Sequence, residues 1–326
     1  APAFAMNLAC GDSLYHGLDH DSVRQQLLGD WTDESHYFRT EDADNLRRIL
    51  QEGTFHAVVA NPPYIVPKDK AANAAYRRLY ATCHRKYSLA VPFMERIVRL
   101  ALNAESNGNH RTSGYTGQIT ANSFMKREFG KKLIEEFLSR TEMTHIVDTS
   151  GAYIPGHGTP TVILFARNRK PSTSSIRAVM GIRGEPSVPE NPRHGQVWTA
   201  IESQIDDVGS QSDFVSVADV ERAKLGAHPW SIGGGGAAGL KEQLDVAGVD
   251  SLSKRDCTDG FGVIIGETEV FCAVASSPAM RKLDDEHKRW IVVGEEVRDW
   301  CIHPREMVVF PYTNSIELVD DAPVHR

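Results

Sequence analysis

The first half of the sequence alternates short apolar runs with helical stretches, a pattern typical of a sheet layered with helices. Strand-like runs occur at residues 55–60, 118–121, 144–147 and 161–165. Helices are predicted over about 71–87, over 89–104, and around an apolar stripe made of Phe129, Leu133, Ile134, Phe137 and Leu138. Lysines and glutamates lie off that stripe, so the stripe should face the core. The predicted fold class is α/β.

The 326 residues suffice for two modest domains. Between Pro171 and Pro192 the composition shifts to Pro, Ser and Gly, and four consecutive glycines from Gly233 interrupt the following stretch. Apolar runs resume after Gly260. We therefore divide the sequence into a first domain at 1–170, a connector at 171–240 and a second, mixed α/β domain at 241–326.

Cysteine and histidine usage argues against a metal centre. The five cysteines are scattered and form no Cys-x-x-Cys pair, which predicts free thiols in a reducing cytoplasm rather than a zinc knuckle or disulfides. The thirteen histidines form no metal-binding spacing, so no bound metal is predicted. No apolar run approaches the ~20 residues of a membrane span.

The net charge of −7 counts mildly against a nucleic-acid partner. Local basic clusters matter more than the total, and the sequence contains several: Arg77-Arg78, 84–86, Lys126-Arg127, Lys131-Lys132 and 167–170. Each alone is more typical of a solvated surface. We take Lys126, Lys131 and Lys132 as candidates for contacting a DNA backbone.

The most informative motif is Asn61-Pro62-Pro63-Tyr64, which directly follows a strand-like run. An exocyclic aromatic amine is a poor nucleophile, because its lone pair is delocalised into the ring. The Asn61 side-chain oxygen and the Pro62 carbonyl can each accept a hydrogen bond from one of the two amine hydrogens. These two bonds would free the lone pair and orient the nitrogen for in-line methyl transfer. The alternative is that the motif is only a turn that ends the strand and has no catalytic role.

The two prolines make this loop rigid. Each fixes its own φ and pushes the preceding residue into an extended conformation. Tyr64 then offers a flat face for a base, worth ~1–3 kcal/mol in stacking. A base inside a duplex cannot reach such a pocket, so the target nucleotide would have to be flipped out. Asn61, Pro62, Pro63 and Tyr64 are the predicted catalytic residues.

Residues 55–64 resemble motif IV of the amino-methyltransferases, in which Asn-Pro-Pro-Tyr is typical of enzymes that methylate N6 of adenine. Upstream, Gly11-Asp12-Ser13-Leu14 resembles motif III of that family. The resemblance implies S-adenosylmethionine as cofactor, with Asp12 accepting from its adenine amine and Ser13 beside it. It also implies a partial Rossmann-like methyltransferase sheet. A plain turn at Gly11-Asp12 is the alternative.

Further segments are similar to the PglX family of adenine-specific DNA methyltransferases, from phage growth limitation (BREX) defence systems. They are 119–124, 148–161, His228-Pro229-Trp230 with the glycines after it, and 291–312. The resemblance implies that about 262–271 and 294–312 belong to a target-recognition domain. It also implies double-stranded DNA as partner, a role in antiviral defence and other defence proteins as further partners. Tyr153 is a candidate for stacking on the flipped base, with a core aromatic as the alternative.

One family element has no counterpart in the sequence. The glycine-rich motif I, which cradles the methionine part of the cofactor, should precede Ala1, and Cys10-Gly11-Asp12 only echoes it. We therefore expect the native polypeptide to extend in both directions. The recognition domain would then be truncated, and the chain as given would be inactive alone.

Three other readings stay open. Asn-Pro-Pro-Tyr also occurs in enzymes that methylate a glutamine amide of release factors or a guanine amine of ribosomal RNA. The long region after the catalytic half favours DNA over these. A third reading is a DNA-binding fragment without catalysis. A Ser-Pro-Pro-Tyr loop would instead have indicated cytosine N4, and we find no nuclease motif.

Overall fold

The computed structural model describes residues 7–18, 40–104, 113–156, 158–248, 265–298, 301–313 and 315–319. The chain divides into two compact units, Ala1–Gly248 and Val249–Arg326. Within the described ranges, no helix combines the length and apolar character that crossing a bilayer demands. Of the segments singled out above, His157, 262–264 and Asp299-Trp300 fall outside these ranges.

A six-stranded mixed sheet forms the centre of the first unit. Its strands are β1 (Ala57–Ala60), β2 (Tyr115–Ala121), β3 (Glu142–Asp148), β4 (Thr161–Arg167), β5 (Ser175–Gly181) and β6 (Val215–Glu221), in the order β1-β2-β4-β3-β5-β6. The pairs β1–β2 and β3–β5 are parallel, and the other three pairs are antiparallel. The four predicted strands are thereby confirmed within a few residues.

The described residues of the first unit form the helices α1 (Ala43–Ile49), α2 (Lys70–Leu79), α3 (Ala90–Leu100), α4 (Gln196–Gln204) and α5 (Ala237–Ala247). Because parallel strands require a crossover, α2 and α3 connect β1 to β2. The apolar face of α3 packs into the core through Val91, Met94 and Ile97, among others. This crossover places the carboxyl ends of β1 and β2 at the same edge of the sheet.

The predicted stripe around residues 129–138 is core, as expected. Leu133, Ile134 and Leu138 are buried in the main cluster, with Phe129 buried and Phe137 partly buried beside them. The segment is not one regular α-helix, however. It consists of a 3-10 turn at Glu128–Gly130, a π-helical turn at Leu133–Phe137 and a second 3-10 turn at Leu138–Arg140.

The prediction of a helix over 71–87 is wrong beyond Leu79. Tyr80 has an extended backbone and a fully buried ring, and its hydroxyl donates to the Leu14 carbonyl at 2.7 Å. Two residues on, the Thr82 hydroxyl donates to Glu95 on α3 at 2.8 Å. These long-range contacts outweigh the local helical pattern.

The segment predicted as a connector at 171–240 instead extends the sheet. β5 and β6 lie within it and pair along seven residues, and β5 also pairs with β3. The core contacts of β5 come from the buried side chains of Ile176, Ala178 and Val179. The weak periodicity of this part of the sequence did not reveal them. The first compact unit accordingly ends at Gly248, directly after α5.

The second unit contains a small antiparallel sheet. Its strands β7 (Cys272–Val274), β8 (Lys288–Ile291) and β11 (Glu306–Val309) have the order β7-β11-β8, while β9 (Val297–Arg298) and β10 (Cys301–Ile302) form a two-stranded ribbon. Two short helices, α6 (Thr268–Phe271) and α7 (Pro278–Lys282), accompany them. Trp290 and Tyr312 line a cavity of about 670 Å³ in this unit.

Candidate functional site

Several of the sequence motifs lie at one edge of the main sheet. Asn61 directly follows β1, and Asn122 directly follows the parallel β2, so both leave the sheet at its carboxyl edge. Because β4 runs antiparallel to β2 and β3, the described residues of the loop 149–160 between β3 and β4 lie at this edge too. Asn122 N donates to the Pro160 carbonyl at 3.0 Å, which ties two of these loops together. Clefts outside the carboxyl ends of strands are the usual ligand sites of open α/β sheets.

The glycine run after Trp230 packs against the same edge. β5 is parallel to β3 and ends at Gly181, whose carbonyl accepts from Gly234 N at 3.1 Å. A Cβ on Gly234 would lie 2.6 Å from the Met180 carbonyl, so this close approach requires glycine. Trp230 itself is buried, and its ring nitrogen donates to the Leu225 carbonyl at 2.8 Å. The segment 228–236, which resembles the PglX family, therefore has a structural role that the sequence alone did not show.

The Asn-Pro-Pro-Tyr loop is accessible at this edge. Asn61 and Pro63 are exposed, Tyr64 is half-buried and Pro62 is buried. The Tyr64 hydroxyl donates to Asn61 Oδ1 at 3.0 Å. Burial raises the pKa of Tyr64, so the hydroxyl keeps its proton and stays a donor at neutral pH. An amide oxygen has two lone pairs, so Asn61 Oδ1 can accept a second hydrogen bond from an incoming amine.

Both ends of this loop are anchored. It starts at the end of β1, and its far end is fixed where Asp69 caps α2 by accepting from Ala72 N at 2.7 Å. Between these points the Ile65 carbonyl accepts from Leu89 N, at the start of α3, at 2.8 Å. The loop is therefore held by the sheet and by both crossover helices, which limits the movement of the acceptors that it presents.

Asp12 lies in a tight turn, half-buried. Its Oδ1 accepts from Leu14 N at 2.8 Å and from Tyr15 N at 3.2 Å, and its Oδ2 accepts from the Tyr76 hydroxyl. A carboxylate offers about four acceptor sites, so Oδ2 can accept one more hydrogen bond. This carboxylate therefore fits as the acceptor for an adenine amine of a cofactor, at Oδ2. Ser13 contributes its carbonyl to Arg96 Nε at 3.1 Å.

The other candidates occupy varied positions. Tyr153 is half-buried within the loop 149–160 at the carboxyl edge. Lys126 and Lys131 are exposed, whereas Lys132 is half-buried. His84 Nε2 lies 4.0 Å from the carboxylate of Glu128, so the basic stretch 84–86 lies near the turns that carry these lysines.

Sequence reasoning missed the residues that hold the Asp12 turn. Tyr76 and Tyr80 on the α2 side reach Asp12 and Leu14, and Arg96 on α3 donates to the carbonyls of Ser13, His16 and Leu50. Arg96 is 1% exposed, and burial lowers its pKa. Buried arginines need several acceptors. The sequence of α3 gave no signal that singled out Arg96, because the helix also carries Glu95 and Arg99.

Among the described residues, one group could offer three metal ligands. Asp284, Glu286 and His287 have ligand atoms within 4.8 Å of one another, but both acids are exposed. Such surface groups are common without an ion. The prediction that no metal is bound therefore stays a prediction.

Replacing Tyr64 separates its two contributions. Tyr64→Phe keeps the ring and removes the hydroxyl that donates to Asn61 Oδ1. If the loop methylates a DNA base, as the sequence predicts, kcat/KM should change by no more than about fivefold, since one neutral hydrogen bond contributes on the order of 1 kcal/mol. Tyr64→Ala removes the stacking face and should lower kcat/KM by roughly 5–150-fold, from ~1–3 kcal/mol of stacking. Steady-state kinetics on one DNA duplex checks both. Equal losses in the two variants would contradict a stacking role.

Comparison with known families finds similarity to methyltransferases. Residues 7–154 match the model of the Eco57I restriction-modification methylase family. This range contains Asp12 and the loop 61–64. Methyltransferases of this family use S-adenosylmethionine.

The chain is 45% identical, over 324 residues, to the adenine-specific methyltransferase PglX of Streptomyces coelicolor. The match covers 96% of the chain and 26% of that protein. It is also 26% identical over 285 residues to the type II methyltransferase M.PaeR7I of Pseudomonas aeruginosa, covering 82% of the chain and 44% of that protein. The chain thus spans about a quarter of the length of PglX and under half of the length of M.PaeR7I. The resemblance to PglX is confirmed.

Two solved structures show a looser likeness. One is the modification subunit of a putative type I restriction enzyme from Vibrio vulnificus, with a TM-score of 0.37 and 14% identity over 60% of this chain and 40% of that one. The other is the type IIG restriction endonuclease BpuSI, with a TM-score of 0.38 and 13% identity over 75% and 25%.

Proposed function

We propose that this chain carries the catalytic loop of a DNA methyltransferase that transfers a methyl group from S-adenosylmethionine to N6 of a flipped-out adenine. The observation that carries the proposal is the accessible, doubly anchored Asn61–Tyr64 loop at the carboxyl edge of the sheet. The similarity to a relative named as an adenine-specific methyltransferase supports adenine as the target.

In the proposed mechanism, Asn61 Oδ1 and the Pro62 carbonyl accept the two amine hydrogens of the target adenine. This arrangement draws the nitrogen toward tetrahedral geometry and directs its lone pair outward. The Tyr64 ring stacks on the base, with Tyr153 as a second candidate from loop 149–160. Asp12 Oδ2 would hold the adenine amine of the cofactor, with Ser13 beside it. Bound S-adenosylmethionine would supply an electrophilic methyl group, whose bond to sulfur breaks as its bond to nitrogen forms, and the methylated amine would release one of its two protons to solvent.

The domain roles are part of this proposal. A parallel pair, β1 and β2, joined through helices and ending in a loop with acceptors, is consistent with a Rossmann-like catalytic sheet. We assign the catalytic role to the first unit and target recognition to the second unit. The short strands and the aromatic-lined cavity of the second unit support a surface able to contact bases.

Nucleoside analysis tests the reaction directly. The intact protein is incubated with methyl-labelled S-adenosylmethionine and unmethylated genomic DNA, and the digested nucleosides are separated by mass spectrometry. We expect label in N6-methyladenine, and sequencing of the undigested methylated DNA should place it at one asymmetric sequence motif. In parallel reactions without DNA, label in added ribosomal RNA or in the glutamine of an added release factor would favour the alternative substrates. DNA binding without any transfer would favour the non-catalytic reading.

Loss of basic charge should weaken DNA binding without changing its sequence preference. Exposed Lys126 and Lys131 are each replaced by glutamine, alone and with Lys132→Gln. For each phosphate contact removed, the slope of log K against log salt should become shallower by about 0.9. Fluorescence anisotropy over a salt series measures this slope. Arg47→Gln, an exposed basic residue on α1, is the matched control, and equal effects from it would contradict a local contact.

The link to antiviral defence can be tested separately in cells. Phage plating efficiency is compared between hosts that carry the complete defence cluster with the wild-type gene and with Asn61→Ala. A role of methylation in defence predicts a change in plating or in host viability for the variant. Identical plating and viability would leave the methyltransferase outside the defence mechanism.

A further inference from the structure

The Asp12 turn is connected to the helix that follows the catalytic loop. Tyr76 lies on α2, whose start is capped by Asp69 at the end of that loop. Its hydroxyl donates to Asp12 Oδ2, across 64 positions of sequence. Within the described part of the turn, the two backbone amides bind Oδ1 rather than this oxygen.

The remainder of the turn is held independently of that hydroxyl. Arg96 donates to the carbonyls of Ser13 at 3.1 Å and of His16 at 2.8 Å, and Tyr80 donates to the Leu14 carbonyl at 2.7 Å. Loss of the Tyr76 hydroxyl should therefore leave the backbone of the turn in place. What it should change is the orientation of the carboxylate, since rotation about the terminal bond of an aspartate is soft.

We propose that Tyr76 is a positioning residue that orients Asp12 Oδ2 for the cofactor, and thereby couples cofactor binding to the helix behind the catalytic loop. This inference rests on the proposed function, in which Asp12 Oδ2 accepts from the adenine amine. A hydrogen bond from a neutral hydroxyl to a carboxylate is short and stronger than one between neutral groups. A pre-oriented carboxylate binds its ligand without a further ordering cost.

The test compares Tyr76→Phe with the matched variant Tyr87→Phe in the intact protein. Both remove one hydroxyl from a buried tyrosine of the same region, but the Tyr87 hydroxyl donates to Asn73 Oδ1 at 3.5 Å rather than to the Asp12 turn. For Tyr76→Phe we expect the Kd of S-adenosylmethionine, measured by calorimetry, to rise about tenfold, with kcat at saturating cofactor within about twofold of wild type. Tyr87→Phe should leave that Kd unchanged.

A double-mutant cycle with Asp12→Asn completes the test. If Tyr76 acts through Asp12, Tyr76→Phe should add little to the loss already caused by Asp12→Asn. An unchanged Kd in Tyr76→Phe, or an equal rise in Tyr87→Phe, would overturn the inference. An unchanged Kd in Asp12→Asn, in a protein that still methylates adenine, would overturn it while leaving the proposed function intact. A wild-type protein that binds cofactor without methylating adenine would instead remove the proposed function.

Discussion

Replacing Asn61 by alanine is expected to lower kcat for adenine methylation by at least about 10²–10³-fold, the loss typical of one preorganised group that acts on the reacting centre. The Asn61 side chain is exposed and makes its hydrogen bond to Tyr64 at the surface, so its removal should leave the fold intact. Asn61 Oδ1 is proposed to stabilise the transition state, in which the amine nitrogen becomes tetrahedral, more than the bound substrate. The loss should therefore appear in kcat, and KM for DNA and cofactor should change little.

Single-turnover methylation with enzyme in excess, together with cofactor and DNA binding, measures this expectation. Asn45→Ala on α1 is the matched control, because Asn45 is also an exposed asparagine and makes only a 3.4 Å contact with Arg48. Asn61→Asp is informative as well. It retains an acceptor but adds a charge, so activity should lie between wild type and the alanine variant. Wild-type single-turnover rates in Asn61→Ala would remove Asn61 from the chemistry.

The catalytic loop could be predicted from the sequence because its determinants are local. An apolar strand followed by asparagine and two prolines fixes both where the strand ends and how stiff the next residues are. The helical stretch between β1 and β2 is long enough for the crossover that parallel pairing needs, and the two strands are parallel. Asn61 lies at the sheet edge because it directly follows β1 in the chain, and its side chain is exposed there.

The supports of the Asp12 turn could not be predicted, because their partners are far away in sequence. Tyr80 ends α2 through a bond to Leu14, and Arg96 reaches three carbonyls of other segments. Neither contact leaves a periodic signal. β5 was missed for a related reason: its pairing with β3 and β6 depends on long-range contacts, and the prolines and serines before it resemble a linker.

One buried carboxylate holds β3 to the segment that leads into β5. Glu142 is 1% exposed and accepts from Ser172 N and Oγ, from Thr173 Oγ1 at 3.1 Å and from Arg222 Nη2 at 2.7 Å. Burial by itself would raise the pKa of Glu142. The hydrogen bonds from Ser172 and Thr173 and the charge of Arg222 outweigh burial, so its pKa lies below its ordinary value.

Glu142→Ala is therefore expected to destabilise the protein by about 3–5 kcal/mol, as breaking one side of a buried ion pair does. The guanidinium of Arg222 and the Ser172 amide would lose their shared acceptor. Urea unfolding followed by intrinsic fluorescence gives the change in the free energy of unfolding. Glu136→Ala, which removes an exposed glutamate from the helical segment before β3, should change that free energy by less than about 0.5 kcal/mol.

The acid dependence of Glu142 gives a second, independent readout. Because its folded-state pKa is depressed, its contribution is complete above the unfolded-state pKa of about 4.3 and is lost as the pH falls through the lower folded-state value. The side chain introduced by Glu142→Gln cannot ionise, whereas all other titratable groups are the same in the two proteins. The free energy of unfolding of the variant should therefore fall less steeply than that of wild type below about pH 5. Parallel stability–pH curves for wild type and Glu142→Gln would show that the carboxylate is not held by these partners in solution. In that case β5 would have to owe its place in the sheet to strand pairing and to the burial of Ile176, Ala178 and Val179 alone.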